Sequence, residues 1–443
     1  MSVRFGTDGV RGPANEALTA EVAVAIGRAA VRVFPAAQVV IGRDTRESGP
    51  MLAAATAAGV TAEGAEAVLL EVVPTPAVAA ASAARGVPGV MISASHNPFA
   101  DNGIKLFGPG GRKLSDAEQA AVEAQIEELL SPGLHPGPSS VGGLHADHTA
   151  LDEYAAHVVA ATEGRRLDGL TMVVDCANGS NSVVGPEVLR ALGAEVTVLS
   201  DHPDGRNINE GCGSTHPEAL AAAVVAHGAD LGIAFDGDAD RLVAVDHTGT
   251  VVDGDQIIAL CALDLRSRGR LAHDTVVVTV MTNLGFRQAM AAEGITVVDT
   301  AVGDRYVLEA ITAGGFSLGG EQSGHIIFGD LATTGDGLLS AVVLSDLLVR
   351  SGRPLADLAS DAMTRLPQVL VNVRVGTPMP DVAERLSVEV AEVTAELGGS
   401  GRVLLRPSGT EPVVRVMAEA ATDAQAAQVA ERLAAAVEAL AGA

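Results

Sequence analysis

MVVDCANGSNSVVGPEVLRALGAEVTVL, residues 172–199, decides the class of fold. A short β-branched run (172–175) breaks at Asn178-Gly179, a helical period follows to about Gly193, and a second β-branched run returns at 196–199. Short runs of this kind alternating with helical periods predict βαβ units, whose parallel strands are covered on both faces. The same order occurs twice more. One copy runs from 39–41 through the loop GRDTRESG and an Ala-rich helix to a strand around 67–70. The other opens with VVVTV (276–280), turns at Asn283, and passes through a helix ending near Gly294 to TVVD (296–299). Three such units predict three related α/β domains, alike in pattern rather than in residue identity.

From Pro367 the character changes. VLVNVRV alternates as a strand, an amphipathic helix follows to about Leu397, and two strands, VLLR and VVRVM, precede a long Ala-rich helix. That is a smaller α+β domain. A Pro-, Gly- and Ser-rich stretch at 131–143 reads as a surface loop near the first boundary, and another boundary falls near 249–254. The expected domains are 1–150, 151–252, 253–366 and 367–443, a division that suits a chain of 443 residues.

The composition narrows the function. Hydrophobic residues make up 48% of the chain and charged residues 19%, enough for large cores and against disorder. With no Trp and 2% aromatics, those cores must be built from Ala, Val, Leu and Ile. No apolar stretch approaches the roughly 20 residues needed to cross a bilayer. The opening MSVRFGTDGVRG has no signal-peptide core, so a soluble, cytoplasmic protein with no membrane partner is expected. Cys176, Cys212 and Cys261 form no CxxC pair, which argues against zinc ribbons and disulfides and suits a reducing compartment. A net charge of −26 makes a nucleic-acid partner improbable. It also requires an enzyme with an anionic substrate to gather its scarce positive charge in one cleft. Of 29 basic residues, 27 are arginine; the two lysines, Lys105 and Lys113, both fall shortly after Ser95.

No GxxxxGK[ST], GxGxxG, HExxH or GxSxG motif is present. Four other segments carry chemistry, one in each expected domain. In MISASHNPFADNGIKLFG, an apolar strand at 90–92 ends in Ser95-His96-Asn97-Pro98, and Pro98 forbids a simple helical continuation. A serine at a strand's carboxyl end lies where open α/β sheets bind ligands; alone, SHNP reads equally well as an ordinary polar turn. AFDGDADRL sets Asp236, Asp238 and Asp240 at alternate positions between apolar runs, with Arg241 following. Carboxylates this close repel unless a hard cation neutralises them, and oxygen ligands suit Mg²⁺. An EF-hand is excluded, since its sixth position would be Arg241 and its twelfth His247. The alternative is a solvated acidic loop. GGEQSGH places Glu321, Ser323 and His325 on a Gly-flanked loop that can fix neighbouring sugar hydroxyls, or is simply a structural turn. In RPSGTEPVVRV, Arg406, Ser408, Gly409, Thr410 and Arg415 offer donors for a dianionic phosphate, or form a hairpin turn with two surface arginines.

Together, ASHNP, DGDADR, GEQSGH and RPSGTEP, in this order and following GTDGVRG (6–12), resemble the α-D-phosphohexomutase superfamily over essentially the whole chain. SASHNP, GGEQSGH and VGDRYV (302–307) look more like its glucosamine-phosphate branch than its mannose- or glucose-phosphate branches. Ala239 departs from that branch's DGDGDR pattern, but it lies between ligands and should leave the ligand set unchanged. The resemblance implies three α/β domains and a smaller C-terminal α+β domain around a central cleft. It implies conversion of glucosamine 6-phosphate to glucosamine 1-phosphate, the precursor of UDP-N-acetylglucosamine and peptidoglycan. Phospho-Ser95 would give its phosphoryl group to the substrate, forming a hexosamine or glucose bisphosphate intermediate that also serves as primer. One Mg²⁺ would sit on Asp236, Asp238, Asp240 and a phosphoserine oxygen, with Arg241 and Arg11 nearby. Lys105 or His96 would be the general acid/base. Glu321, Ser323 and His325 would hold the sugar, and Arg406, Ser408, Gly409, Thr410 and Arg415 the other phosphate. A homodimer and an activating kinase or bisphosphate for Ser95 complete the implied partners. The rival readings are a mannose- or glucose-phosphate mutase and a non-catalytic sugar-phosphate-binding protein.

Overall fold

The structure, a computed structural model, describes residues 5–6, 9–130, 141–408 and 412–442. Most of the loop expected at 131–143, together with Gly409 and Thr410, lies outside the described residues. The chain divides into two compact units. One comprises Met1–Met281 with Ile295–Ser360, the other Thr282–Gly294 with Asp361–Ala443.

The first unit holds three sheets. The first contains β1 (Val10–Pro13), β2 (Gln38–Arg43), β3 (Glu66–Val72), β4 (Gly89–Ile92), β5 (Asp101–Gly108), β6 (Arg112–Lys113) and β7 (Leu144–Ala146), in the order β1-β5-β4-β2-β3-β7 with β6 on β5. The second contains β8 (Thr171–Asp175), β9 (Glu195–Leu199), β10 (Leu231–Phe235), β11 (Leu242–Asp246) and β12 (Val251–Val252), in the order β12-β11-β10-β8-β9. The third contains β13 (Thr275–Thr279), β14 (Thr296–Thr300), β15 (Leu318–Gly320) and β16 (Ile326–Phe328), in the order β14-β13-β15-β16.

One pattern underlies all three. A first strand (β2, β8 or β13) pairs in parallel with the second on one side and with the third on the other. The third strand then turns into an antiparallel fourth: β4 into β5, β10 into β11, β15 into β16. The three turns are residues 93–100, 236–241 and 321–325, which carry ASHNP, DGDADR and EQSGH. Each leaves the carboxyl end of a parallel strand, where open α/β sheets place ligands. Strands β4, β10 and β13 are buried along their whole length, as expected where helices cover both faces.

Small residues take the place of the missing aromatics. Helices Ala20–Val33 and Gly49–Ala62 pack almost backbone to backbone. A Cβ on Gly27 would stand 2.1 Å from the Thr56 carbonyl oxygen, and one on Gly59 2.2 Å from that of Val24. Cores close-packed in this way tolerate no added methylene.

The second unit is a three-stranded antiparallel sheet of β17 (Gln368–Arg374), β18 (Arg402–Pro407) and β19 (Val413–Glu419), ordered β17-β19-β18. Val429, Leu433 and Val437 of helix Asp423–Gly442 and Val393 and Leu397 of helix Ser387–Leu397 share its apolar core. Helix Leu284–Ala292, read in the sequence as the third crossover, groups with this unit. Leu284 N–H donates to Glu419 Oε2 (2.9 Å), and the Asn283 amide exchanges two hydrogen bonds with the Leu366 backbone (2.9 and 3.0 Å). Among the described residues no helix is long and apolar enough to cross a membrane. All three cysteines are buried and outside any disulfide.

Candidate active site

Ser95 is 1% exposed and has φ +53°, the left-handed region that residues with a Cβ seldom enter. Its surroundings impose that conformation. The Ser95 N–H donates to Ser93 Oγ (2.9 Å), while its carbonyl accepts from Arg46 Nη2 (3.0 Å) and Asn209 Nδ2 (2.9 Å). Ser95 Oγ donates to Asp236 Oδ2 at 2.5 Å and lies 3.3 Å from His96 Nδ1. The serine loop and the acidic loop meet so closely that a Cβ on Gly237 would stand 2.7 Å from the Ser95 carbonyl oxygen. Glycine is therefore required inside DGDADR.

Arg46 is the residue that the sequence left unread. Its side chain is fully buried and clips the SHNP loop by its carbonyls. Nε donates to Asp44 Oδ2 (2.8 Å), Nη2 to Ser95 and Asn97 (3.0 and 2.8 Å), and Nη1 to Asp101 (3.0 Å) and Pro98. Arg46→Ala would leave the buried Asp44 carboxylate without its charge partner and take a donor from four carbonyl oxygens, two of which, Ser95 and Asn97, keep only Asn209. We expect a loss of about 3–5 kcal/mol in a denaturant titration. A loss below about 1 kcal/mol would show that the clip contributes little.

The three aspartates are buried, with carboxylate oxygens within 4.8 Å of one another, the arrangement of a metal site. Lys105 Nζ donates to Asp238 Oδ2 (2.7 Å) and Asp240 Oδ2 (3.1 Å), and Thr75 Oγ1 donates to Asp238 Oδ2 (2.6 Å). Burial, then the charges of Asp240 and Asp238, push the Asp236 carboxyl well above the usual range. Burial opposes the Asp240 charge too, but Lys105, His325 and Arg241 outweigh it and hold that carboxyl well below the usual range. Asp238 Oδ1 is buried and meets no hydrogen-bond donor among the described residues. An acidic cluster with an orphaned oxygen fits a hard divalent cation. Burial, then the charges of Arg241 and Arg11, lower the His96 pKa to about 4.

The third loop is pinned to the second. Leu242 N–H donates to the Gly324 carbonyl (3.0 Å), and Gly254 N–H to that of Gln322 (3.1 Å). Ser323 is exposed, and Glu321 Oε1 accepts the Gly303 N–H (3.1 Å). His325, expected among the sugar contacts, is buried in this network. It is 2% exposed; Nε2 accepts the Gly335 N–H (3.0 Å) and stands 3.4 Å from Asp304 Oδ2, and Nδ1 stands 3.6 Å from Asp240 Oδ1. Asp304 also binds Lys113. Thus both lysines of the chain serve acidic groups of this network.

In the second unit Arg406 and Arg415 face each other across β18 and β19, and Arg415 also pairs with Asn372 of β17. Side chains directly opposite on paired strands project from the same face. The Ser408 N–H donates to the Val413 carbonyl (2.7 Å).

Four domain families match along the chain. These are phosphoglucomutase/phosphomannomutase α/β/α domain I at residues 2–132, domain II at 152–249, domain III at 253–366, and the C-terminal domain at 370–436. The chain belongs to the phosphoglucomutase/phosphomannomutase family. Within this family it is 57% identical to the phosphoglucosamine mutase of Frankia casuarinae, over 98% of this chain and 97% of that one. A family protein of solved structure from Burkholderia thailandensis superposes with TM-score 0.82 at 27% identity, covering 99% and 97% of the two chains. The N-acetylphosphoglucosamine mutase of Aspergillus fumigatus, solved with GlcNAc-6P and magnesium, shares the fold (TM-score 0.73) at 20% identity, covering 99% and 96%.

Proposed function

We propose that this protein interconverts glucosamine 6-phosphate and glucosamine 1-phosphate through a phosphoserine at Ser95. The observation that carries the reading is a serine hydroxyl on a left-handed turn, bonded directly to one carboxylate of a buried aspartate triad. Full-length likeness to a phosphoglucosamine mutase supports the choice of sugar.

The phosphoryl group leaves Ser95 Oγ as its bond to the substrate's free hydroxyl forms. The bisphosphate then turns over and returns its other phosphoryl group to Ser95. Asp236, Asp238 and Asp240, with a phosphoserine oxygen, would hold one Mg²⁺, which offsets the charge of the transferring group when bound. Arg241 and Arg11 add fixed positive charge beside the serine. Lys105 moves the hydroxyl proton; a His96 with a pKa of about 4 is neutral and a weak base near pH 7, which supports the lysine. Glu321 and Ser323 hold sugar hydroxyls, and His325 braces Asp240. Arg406, Ser408, Gly409, Thr410 and Arg415 bind the non-reacting phosphate. The product would feed UDP-N-acetylglucosamine and peptidoglycan synthesis in the cytoplasm.

The test is a mutase assay primed with glucose 1,6-bisphosphate, comparing glucosamine, glucose and mannose phosphates by kcat/KM. Glucosamine phosphate should lead. A lead for mannose phosphate would overturn the sugar while sparing the chemistry, and no turnover of any substrate would overturn the mutase reading.

A further inference from the structure

A cavity of about 310 Å³ lies within the first unit, apart from the serine. Helix Thr75–Arg85 lines it with Ala80 and Ala83, helix Ala150–Ala160 with Tyr154 and His157, and the segment 329–336 with Asp330 and Asp336. Each element comes from a different one of the three expected α/β domains or their junctions, a common setting for ligand sites. The space is about twice that of an engineered apolar cavity able to take benzene.

Two of its walls hold the aspartate loop. Helix Thr75–Arg85 begins at Thr75, whose N–H donates to the Asp238 carbonyl (2.9 Å) and whose hydroxyl donates to the Asp238 carboxylate (2.6 Å). The opposite wall ends at Gly335 and Asp336. Gly335 N–H donates to His325, which abuts Asp240, and Gly337 N–H donates to the Ala239 carbonyl (3.0 Å). Any body that spans these walls therefore restrains both flanks of the loop.

The lining also has a sign. It carries two carboxylates and, among the described residues, neither arginine nor lysine. Tyr154 Oη donates to Asp336 Oδ1 (2.8 Å), and His157 Nε2 donates to the Leu331 carbonyl (2.8 Å). Burial pushes the Asp336 carboxyl up to about 6 against the pull of backbone amides, Tyr154 and His157. Alanine methyls and an aromatic edge suit an apolar body; the carboxylates suit a cation and repel phosphates. We propose that this cavity binds a small apolar amine, and that its occupancy tightens the hold of Asp236, Asp238 and Asp240 on their cation. The second half rests on the metal reading above; the first does not.

Cyclohexylmethylamine, cyclohexylmethanol and cyclohexanecarboxylate share one ring and differ in charge. The chain has no Trp and two tyrosines, so in a Tyr306→Phe protein fluorescence reports Tyr154 alone. The amine should give a saturable change, with the carboxylate at least about tenfold weaker because like charges meet. Ala80→Phe, which fills the space from a half-buried position, should abolish the change, and Asp330→Asn should weaken the amine but not the alcohol. Calorimetric titration of Mg²⁺ should show about fivefold tighter binding with the amine present, and Mg²⁺ should tighten the amine by the same factor. No saturable response to the amine, equal binding of the carboxylate, or an undisturbed response in Ala80→Phe would overturn the site. Mg²⁺ affinity that ignores the amine would overturn the coupling. Absence of any Mg²⁺ binding would instead sink the metal reading and the coupling with it, leaving the cavity result to stand or fall by fluorescence.

Discussion

Replacement of Ser95 by alanine is expected to lower turnover by about 10⁴-fold or more, the scale on which covalent enzymes lose activity when the nucleophile is removed. Intact-mass analysis of the same protein should show one phosphoryl group present in part of the wild type and missing from the variant. The fold should survive. Alanine carries the same Cβ into the same left-handed backbone, and the Arg46 and Asn209 bonds to the residue 95 carbonyl do not involve the side chain. The hydroxyl's bond to Asp236 is lost, so the expected stability change is about 1–2 kcal/mol at most. A variant that folds, carries no phosphate and still turns over at the wild-type rate would remove the phosphoserine from the mechanism.

The parts of this fold that could be read from sequence are those fixed by local pattern. VVVTV, MVVD and LGIAF are short, β-branched or apolar and bounded by turns, and each is a buried strand. The loops ASHNP, DGDADR and EQSGH stood out because each interrupts two apolar runs with charged or polar residues. What pattern could not give is which loops touch. Arg46 sits 49 residues from Ser95, in GRDTRESG, and its partners are mostly carbonyl oxygens, which every residue owns. No residue type in the SHNP loop announces that an arginine is needed.

Two further positions show where side-chain identity misleads. The pattern GGEQSGH groups His325 with Glu321 and Ser323, whereas its burial and its place between Asp240 and Asp304 depend on a distant segment, residues 333–337, that no local pattern names. Ala239 looked innocuous because it lies between ligands. Its φ of +58° and complete burial show why glycine suits this site, since alanine there costs about 1–2 kcal/mol of backbone strain. The βαβ order places helix Leu284–Ala292 in the third α/β domain, whereas the polar contacts of Asn283 and Leu284 tie it to the C-terminal unit.

Asp236→Asn should have effects of opposite sign with and without metal. In metal-free protein the Asp236 carboxylate is buried beside Asp238 and Asp240, and burial and these charges both oppose its ionisation. A neutral amide removes that repulsion, still accepts the Arg241 N–H through its oxygen, and can still meet Ser95 Oγ. The variant in EDTA should therefore melt higher than the wild type in EDTA. With magnesium the order should reverse, because the wild type gains RT ln(1 + [L]/Kd) from the ion and the variant has lost one ligand charge. Mg²⁺ affinity should fall by about 10- to 100-fold and turnover by at least as much, since one of the three carboxylates that would hold the ion is lost. Differential scanning calorimetry in EDTA and in saturating Mg²⁺ reads both signs in one protein. If the variant melts lower under both conditions, Asp236 is a structural hydrogen-bond acceptor and not a ligand. If it melts higher under both and turnover in the wild type survives exhaustive chelation, the triad holds no catalytic cation.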